Sequence, residues 1–126
     1  MRESNGLLTV AFRRSYVPEA IINYGSTVAD RASRTIRDYW DTSIWSHVEP
    51  AMAFQMGLPI LILRESGVIA NGMLETGVVG TYMPEFSLDS PPEGYFSSQE
   101  WRHLIQKWEM QVNTVVERKG QPPQLY

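Results

Sequence analysis

Six consecutive apolar residues, Leu58-Pro-Ile-Leu-Ile-Leu63, run from Gly57 to the charged pair Arg64-Glu65. A strand with one wet face alternates apolar and polar side chains, so a run without alternation needs cover on both faces. A parallel sheet flanked by helices supplies that cover. The run is too short for the roughly 18 apolar residues of a membrane span, and no other stretch approaches that length. A buried central strand is therefore expected here, and with it an α/β fold. At 126 residues the chain suits one domain, residues 1–126, and is short for two.

Composition narrows the function classes. With 43% hydrophobic and 20% charged residues the chain reads as globular and soluble. A formal charge of -3 gives no electrostatic case for nucleic acid, whose binders carry basic patches. The N-terminal apolar run is too short for a signal peptide, so no membrane association and a cytoplasmic location are expected. Without cysteine there is no disulfide, no thiol nucleophile and no Cys-ligated zinc. His47 and His103 lie far apart in sequence, and no metal site is expected.

Along the chain, Gly6 to Phe12 reads as a short buried strand ending at Arg13 and Arg14. "SYVPEAIINYGS" (15–26) carries Pro18 and Gly25 and reads as a loop. In "TVADRASRTIRDYW" (27–40), Val28, Ala32, Ile36 and Tyr39 or Trp40 recur at helical spacing opposite Arg31, Arg34 and Arg37, which predicts an amphipathic helix. A polar, aromatic loop follows, then a short helix in "VEPAMAFQMG" closed by Gly57. "SGVIANGMLETG" is loop with a helical turn inside Val68 to Leu74, and "VVGTYM" (78–83) is a third strand stopped by Pro84. After a proline-rich connection, Ser97 and Glu100 form a capping box for a helix whose Trp101, Leu104, Ile105, Trp108, Val112 and Val115 make one apolar stripe. The sum is a small open, mostly parallel sheet flanked by helices. The tryptophans and the amphipathic last helix suggest a homodimer.

Open α/β sheets bind ligands beyond the C-terminal ends of their strands. Three groups fall there on this reading: Arg13 and Arg14, the Ser43 to Glu49 segment, and Arg64 with Glu65. Glu49 has two readings. Ser46 and Glu49 have capping-box spacing, but Pro50 would then occupy the fourth helical position, where its missing amide forfeits a bond. Proline favours the first helical position, which makes Glu49 itself the cap. Glutamate is a weak cap beside Ser, Asp or Asn, so a chemical role for Glu49 stands next to the structural one.

The segment "WSHVEPAMAFQMGLPILILRESGV" resembles the Glu-x-x-Ala-x-x-x-Gly-x-Pro stretch of nucleoside 2-deoxyribosyltransferases and TIR-like domains. The matching positions are Glu49, Met52 in the alanine place or Ala53 one later, Gly57 and Pro59. The resemblance implies a flavodoxin-like sandwich in which Glu49 works on the N-glycosidic bond of NAD or a nucleoside. Breaking that bond passes through an oxocarbenium-like state that a carboxylate stabilises. Arg13 or Arg14 with the helix N-terminus could hold a phosphate, and Trp40 or Trp45 could stack on a base or nicotinamide ring. The expected substrate-binding set is Arg13, Arg14, Trp45, Ser46, His47, Glu65 and Tyr82, with Asn71 and Glu75 lining the cleft. The expected ligand is a small-molecule nucleotide or nucleoside, with no resident cofactor. The alternative is a non-catalytic nucleotide-sensing or protein-interaction module of the same fold.

Overall fold

The apolar run forms the centre of the sheet. In the computed structural model, which describes residues 3–78 and 83–118, Leu7–Ala11 (β1) and Ile60–Glu65 (β4) pair in parallel, Leu7 opposite Ile60 through Ala11 opposite Arg64. Glu85–Phe86 (β5) pairs in parallel with the far end of β4, giving the order β1-β4-β5. Ile60, Leu61, Ile62 and Leu63 are each only 3–4% exposed, so both faces of β4 are covered as expected. Ile60 and Ile62 join Ala11, Ala53, Leu58, Val68, Leu74 and Val115 in one buried cluster. Leu61 and Leu63 alternate to the other face. Burying each such side chain contributes about 1.5–3 kcal/mol.

Helices flank this sheet. Trp45–Gln55 (α1) packs on β1 and β4, burying Ser46, Pro50 and Ala53. It ends as its sequence predicts. Gly57, at φ +69°, follows the cap; its amide donates to the Phe54 carbonyl and the Leu58 amide to that of Ala53, a Schellman closure that turns the chain into β4. The long last helix, Gln99–Glu117 (α3), places Trp101, Leu104, Ile105, Trp108 and Val112 on its less exposed side, with Val115 fully buried. Trp108 Nε1 donates to the Pro59 carbonyl at 3.3 Å, and a Cβ on Gly6 would stand 2.6 Å from Val112 Cγ2, so α3 lies where β1 and β4 begin. A short helix, Pro92–Phe96 (α2), precedes it.

Several expectations are corrected. Residues 15–22 are not a loop and 34–40 are not a helix. Ser15–Ile22 (β2) and Arg34–Asp41 (β3) form an antiparallel hairpin, Ser15 opposite Asp41 and Ile22 opposite Arg34, joined through a single helical turn at Ala29–Arg31. Asn23 and Gly25 supply the left-handed residues of the bend, at φ +56° and +69°. Pro18 is tolerated because a two-strand ribbon has free outer edges. Asp38 also adopts φ +53°, and its carboxylate accepts a hydrogen bond from the Tyr16 hydroxyl.

The α1 start is corrected too. The helix opens at Trp45 behind Ile44, whose carbonyl receives the amides of both His47 and Val48 at 3.0 Å. Glu49 is therefore not the cap but sits one turn inside, and Pro50 interrupts the backbone bonding in mid-helix. Burial of the Pro50 ring offsets a cost that is about 3 kcal/mol at an exposed position. For α3 the cap is Ser98, whose Oγ accepts the Trp101 amide at 3.2 Å; Ser97 instead donates to the Glu93 carbonyl. Of the expected strand 78–83, residues 79–82 lie outside the described residues, and the third strand of the sheet is β5. Among the described residues no helix is long and apolar enough to cross a membrane.

Candidate functional site at the C-terminal edge of the parallel sheet

Because β1 and β4 run in parallel, Arg13, just past β1, and Glu65, the last residue of β4, come out at the same edge. The structure brings them together. Glu65 is only 6% exposed; its Oε2 accepts the Arg13 amide at 2.7 Å, and its Oε1 lies 3.7 Å from Arg13 Nε. Arg13 Nε donates to the Ser66 carbonyl at 2.6 Å. The guanidinium also lies over the Trp40 ring, 5.7 Å from Cζ to centroid, and against Gly67. Gly67 has φ +91°, and a Cβ there would stand 3.1 Å from Nη2 and 3.2 Å from Nε, so glycine leaves room for this side chain.

Arg14 goes elsewhere. Its amide donates to the Asp41 carbonyl and its Nη1 to Ser43 Oγ at 3.3 Å, next to the start of α1. The two adjacent arginines thus serve two places on one edge. Arg64 belongs to neither: Nη1 donates to the Val68 carbonyl and Nη2 to Glu85 Oε2, while Ser66 Oγ donates to Glu85 Oε1. Phe12 meets Phe86 edge to face at 5.8 Å across the ends of β1 and β5.

The start of α1 stands at this edge, since Arg14 reaches Ser43 and α1 runs back to feed β4. Trp45 is 62% exposed. Glu49, one turn later on the same flank, is half-buried, and among the described residues its carboxylate has no hydrogen-bond or ion-pair partner. Ser46 is buried with its hydroxyl 3.4 Å from Thr42 Oγ1. His47 lies on the opposite flank, its Nδ1 3.1 Å from where a Gly72 Cβ would stand, in an open depression shared with Asn71 and Met73. Glu75 is exposed, and Tyr82 lies outside the described residues. Among the described residues no group of three or more His, Asp or Glu side chains could hold a metal ion.

Sequence reasoning missed the hairpin's share of the edge. Trp40 bonds to both sides of the turn after β4, its amide to the Gly67 carbonyl and its carbonyl to the Ile69 amide. Its ring meets Tyr16 at 5.3 Å. The hydrogen bond to the Asp38 carboxylate, aided by partial desolvation and by the charge of Asp38, raises the Tyr16 phenol above its ordinary value of 10.0. The one signal for this cluster was Ser66-Gly67 directly after a buried strand, a turn signature that places a tight approach there.

Chemically, the edge offers a solvated indole beside a carboxylate that has no partner among the described residues, and a guanidinium held in one orientation. Comparison of the chain with protein-family models, with curated proteins and with solved structures gives no match.

Proposed function

We propose that the chain binds a nucleotide or nucleoside at this edge, and that Glu49 acts on the N-glycosidic bond of NAD or a nucleoside. The observation that carries the reading is the half-buried Glu49 carboxylate, without a partner among the described residues, one helical turn after the exposed Trp45. A carboxylate that structure alone required would be paired or fully solvated. Here an indole for stacking and a carboxylate for a sugar stand about one helical pitch, roughly 5 Å, apart along α1. In the reaction the bond from the anomeric carbon to nitrogen breaks, and its electron pair leaves on the base or nicotinamide. Glu49 offsets the positive charge that develops on the sugar. Water then adds at the anomeric carbon and gives its proton to solvent, or a second base adds in its place.

The test is incubation with NAD and with nucleosides, with product chromatography. Glu49→Gln keeps the fold, retains ligand affinity and lowers product formation by about 100-fold or more, because the charge that stabilises the transition state is gone. Undiminished turnover in a folded Glu49→Gln protein refutes the assignment.

The outer stripe of α1 favours a second reading. Ile44, Val48, Ala51, Met52 and Gln55 recur at helical spacing opposite the buried Ser46, Pro50 and Ala53; none is charged, and all are exposed. A face of this kind fits a non-catalytic module that signals ligand binding to a protein partner. Ligand binding without product in the same assay selects it.

A further inference from the structure

We infer that Arg13 is a phosphate-binding group, so that the ligand of this edge is a nucleotide rather than an unphosphorylated nucleoside. The inference rests on the nucleotide- or nucleoside-binding reading above and does not require turnover. An arginine that serves only as a clamp between strands spends its donors on the strands. Arg13 spends one. Its Nε donates to the Ser66 carbonyl and lies near Glu65, while Nη1 and Nη2 have no acceptor among the described residues. Its side chain is 35% exposed, so the guanidinium is partly withdrawn from water.

The orientation of the fork is fixed on several sides. Glu65, 6% exposed, holds both the amide and the Nε side of Arg13. Trp40 packs against the guanidinium, and the missing Cβ of Gly67 provides the space beside Nε and Nη2. What is left to a ligand is the outer edge carried by Nη1 and Nη2, whose two N–H groups match two oxygens of one phosphate. A guanidinium held in place loses little side-chain entropy on binding an anion, which is the ordinary cost of using a flexible arginine. Lysine substitutes only in part, because its point charge attracts a phosphate but has neither the fork nor the flat surface that Trp40 and Gly67 hold. Glu65, Trp40 and Gly67 are positioning residues on this account, since each acts through Arg13. Arg14, bonded to Ser43, is not part of the fork.

Isothermal titration of one nucleoside, its 5′-mono- and diphosphates, NAD and inorganic pyrophosphate tests the inference on wild-type protein, Arg13→Gln, Arg13→Lys and Glu49→Gln, each checked for folding by circular dichroism. Wild type binds the phosphorylated ligands about 10-fold or more tightly than the nucleoside. Arg13→Gln removes that preference and leaves nucleoside affinity unchanged; a defect that was merely structural would weaken both. Arg13→Lys recovers part of it. Should Arg13→Gln fail to fold, the folded Arg13→Lys protein, with a preference reduced but present and steeper in its salt dependence, carries the same test. Glu49→Gln keeps the full preference, so absence of turnover overturns the catalytic reading and leaves this one standing. Equal wild-type affinity for nucleoside and nucleotides, a preference untouched in both Arg13 variants, or no Arg13-dependent binding of any phosphorylated ligand, pyrophosphate included, overturns the inference.

Discussion

Two glutamates of this chain lie close in sequence and in opposite circumstances. Glu65 is buried and answered by Arg13; Glu49 is half-buried and unanswered among the described residues. That Glu65 and Arg13 meet at one edge was legible from sequence, because residues just past parallel strands emerge on the same side. What each does there was not legible, since a partner 52 positions away leaves no local mark. The same holds for Tyr16 and Asp38, which meet only because the hairpin forms. Their contact gives a pH prediction. The bond to Asp38 favours the neutral phenol, so Tyr16 titrates above 10.0 in the folded protein. A raised folded pKa means that the contribution is fully present below the unfolded value of about 10 and is lost as pH rises through the folded one. Ultraviolet difference titration of wild type against Tyr16→Phe isolates this tyrosine, and Asp38→Asn lowers its midpoint. A Tyr16 midpoint at or below that of an ordinary tyrosine, or one unmoved by Asp38→Asn, contradicts the contact.

Among the elements, those dictated by one strong local rule were the legible ones. An unbroken apolar run could only be a covered strand, and the stripe of α3 repeats over enough turns to exclude a strand. Gly57 is legible because closing a helix that ends at Gln55 into a strand that starts at Ile60 favours a left-handed residue after the cap. Gly57→Ala therefore strains the Schellman closure and lowers stability by about 1 kcal/mol, without moving the helix, as urea unfolding will show. An unchanged midpoint would mean that the closure is not formed as described. The hairpin was illegible for a particular reason. Ile36 and Trp40 are four residues apart, and positions i and i+4 share a face in a helix and in a strand alike. Pro18 and Gly25 then concealed the partner strand, since both are ordinary loop markers. The helix start was missed because the reading gave Pro50 the role of first residue. In fact the Ile44 carbonyl closes the first turn before Pro50 is reached.

On the scale of the whole molecule the described residues form two sheets of unequal standing. The parallel sheet holds the buried cluster, whereas no residue of β2 or β3 is buried. A two-strand ribbon is marginal by itself in water, so the hairpin depends on what fastens its base. The fastening is concentrated at Trp40, which bonds to Gly67 and Ile69 and packs on the core cluster, and at Asp41, which receives the Arg14 amide. Near the bend, Ile22 pairs with Arg34 at the end of the ladder, and Tyr24 is 83% exposed. Hydrogen exchange should divide accordingly. Ladder amides of residues 20–22 and 34–36 exchange by local opening that costs little, while those of β1 and β4 wait for global unfolding at about 5–15 kcal/mol. Amides around Trp40 fall with the second group. Uniform protection along β2 and β3 would show that the ribbon is held along its length and would remove this division. The division matters for the site. Arg13 leans on Trp40, at the fastened end, so the hairpin can open at its bend without releasing the guanidinium that faces the ligand.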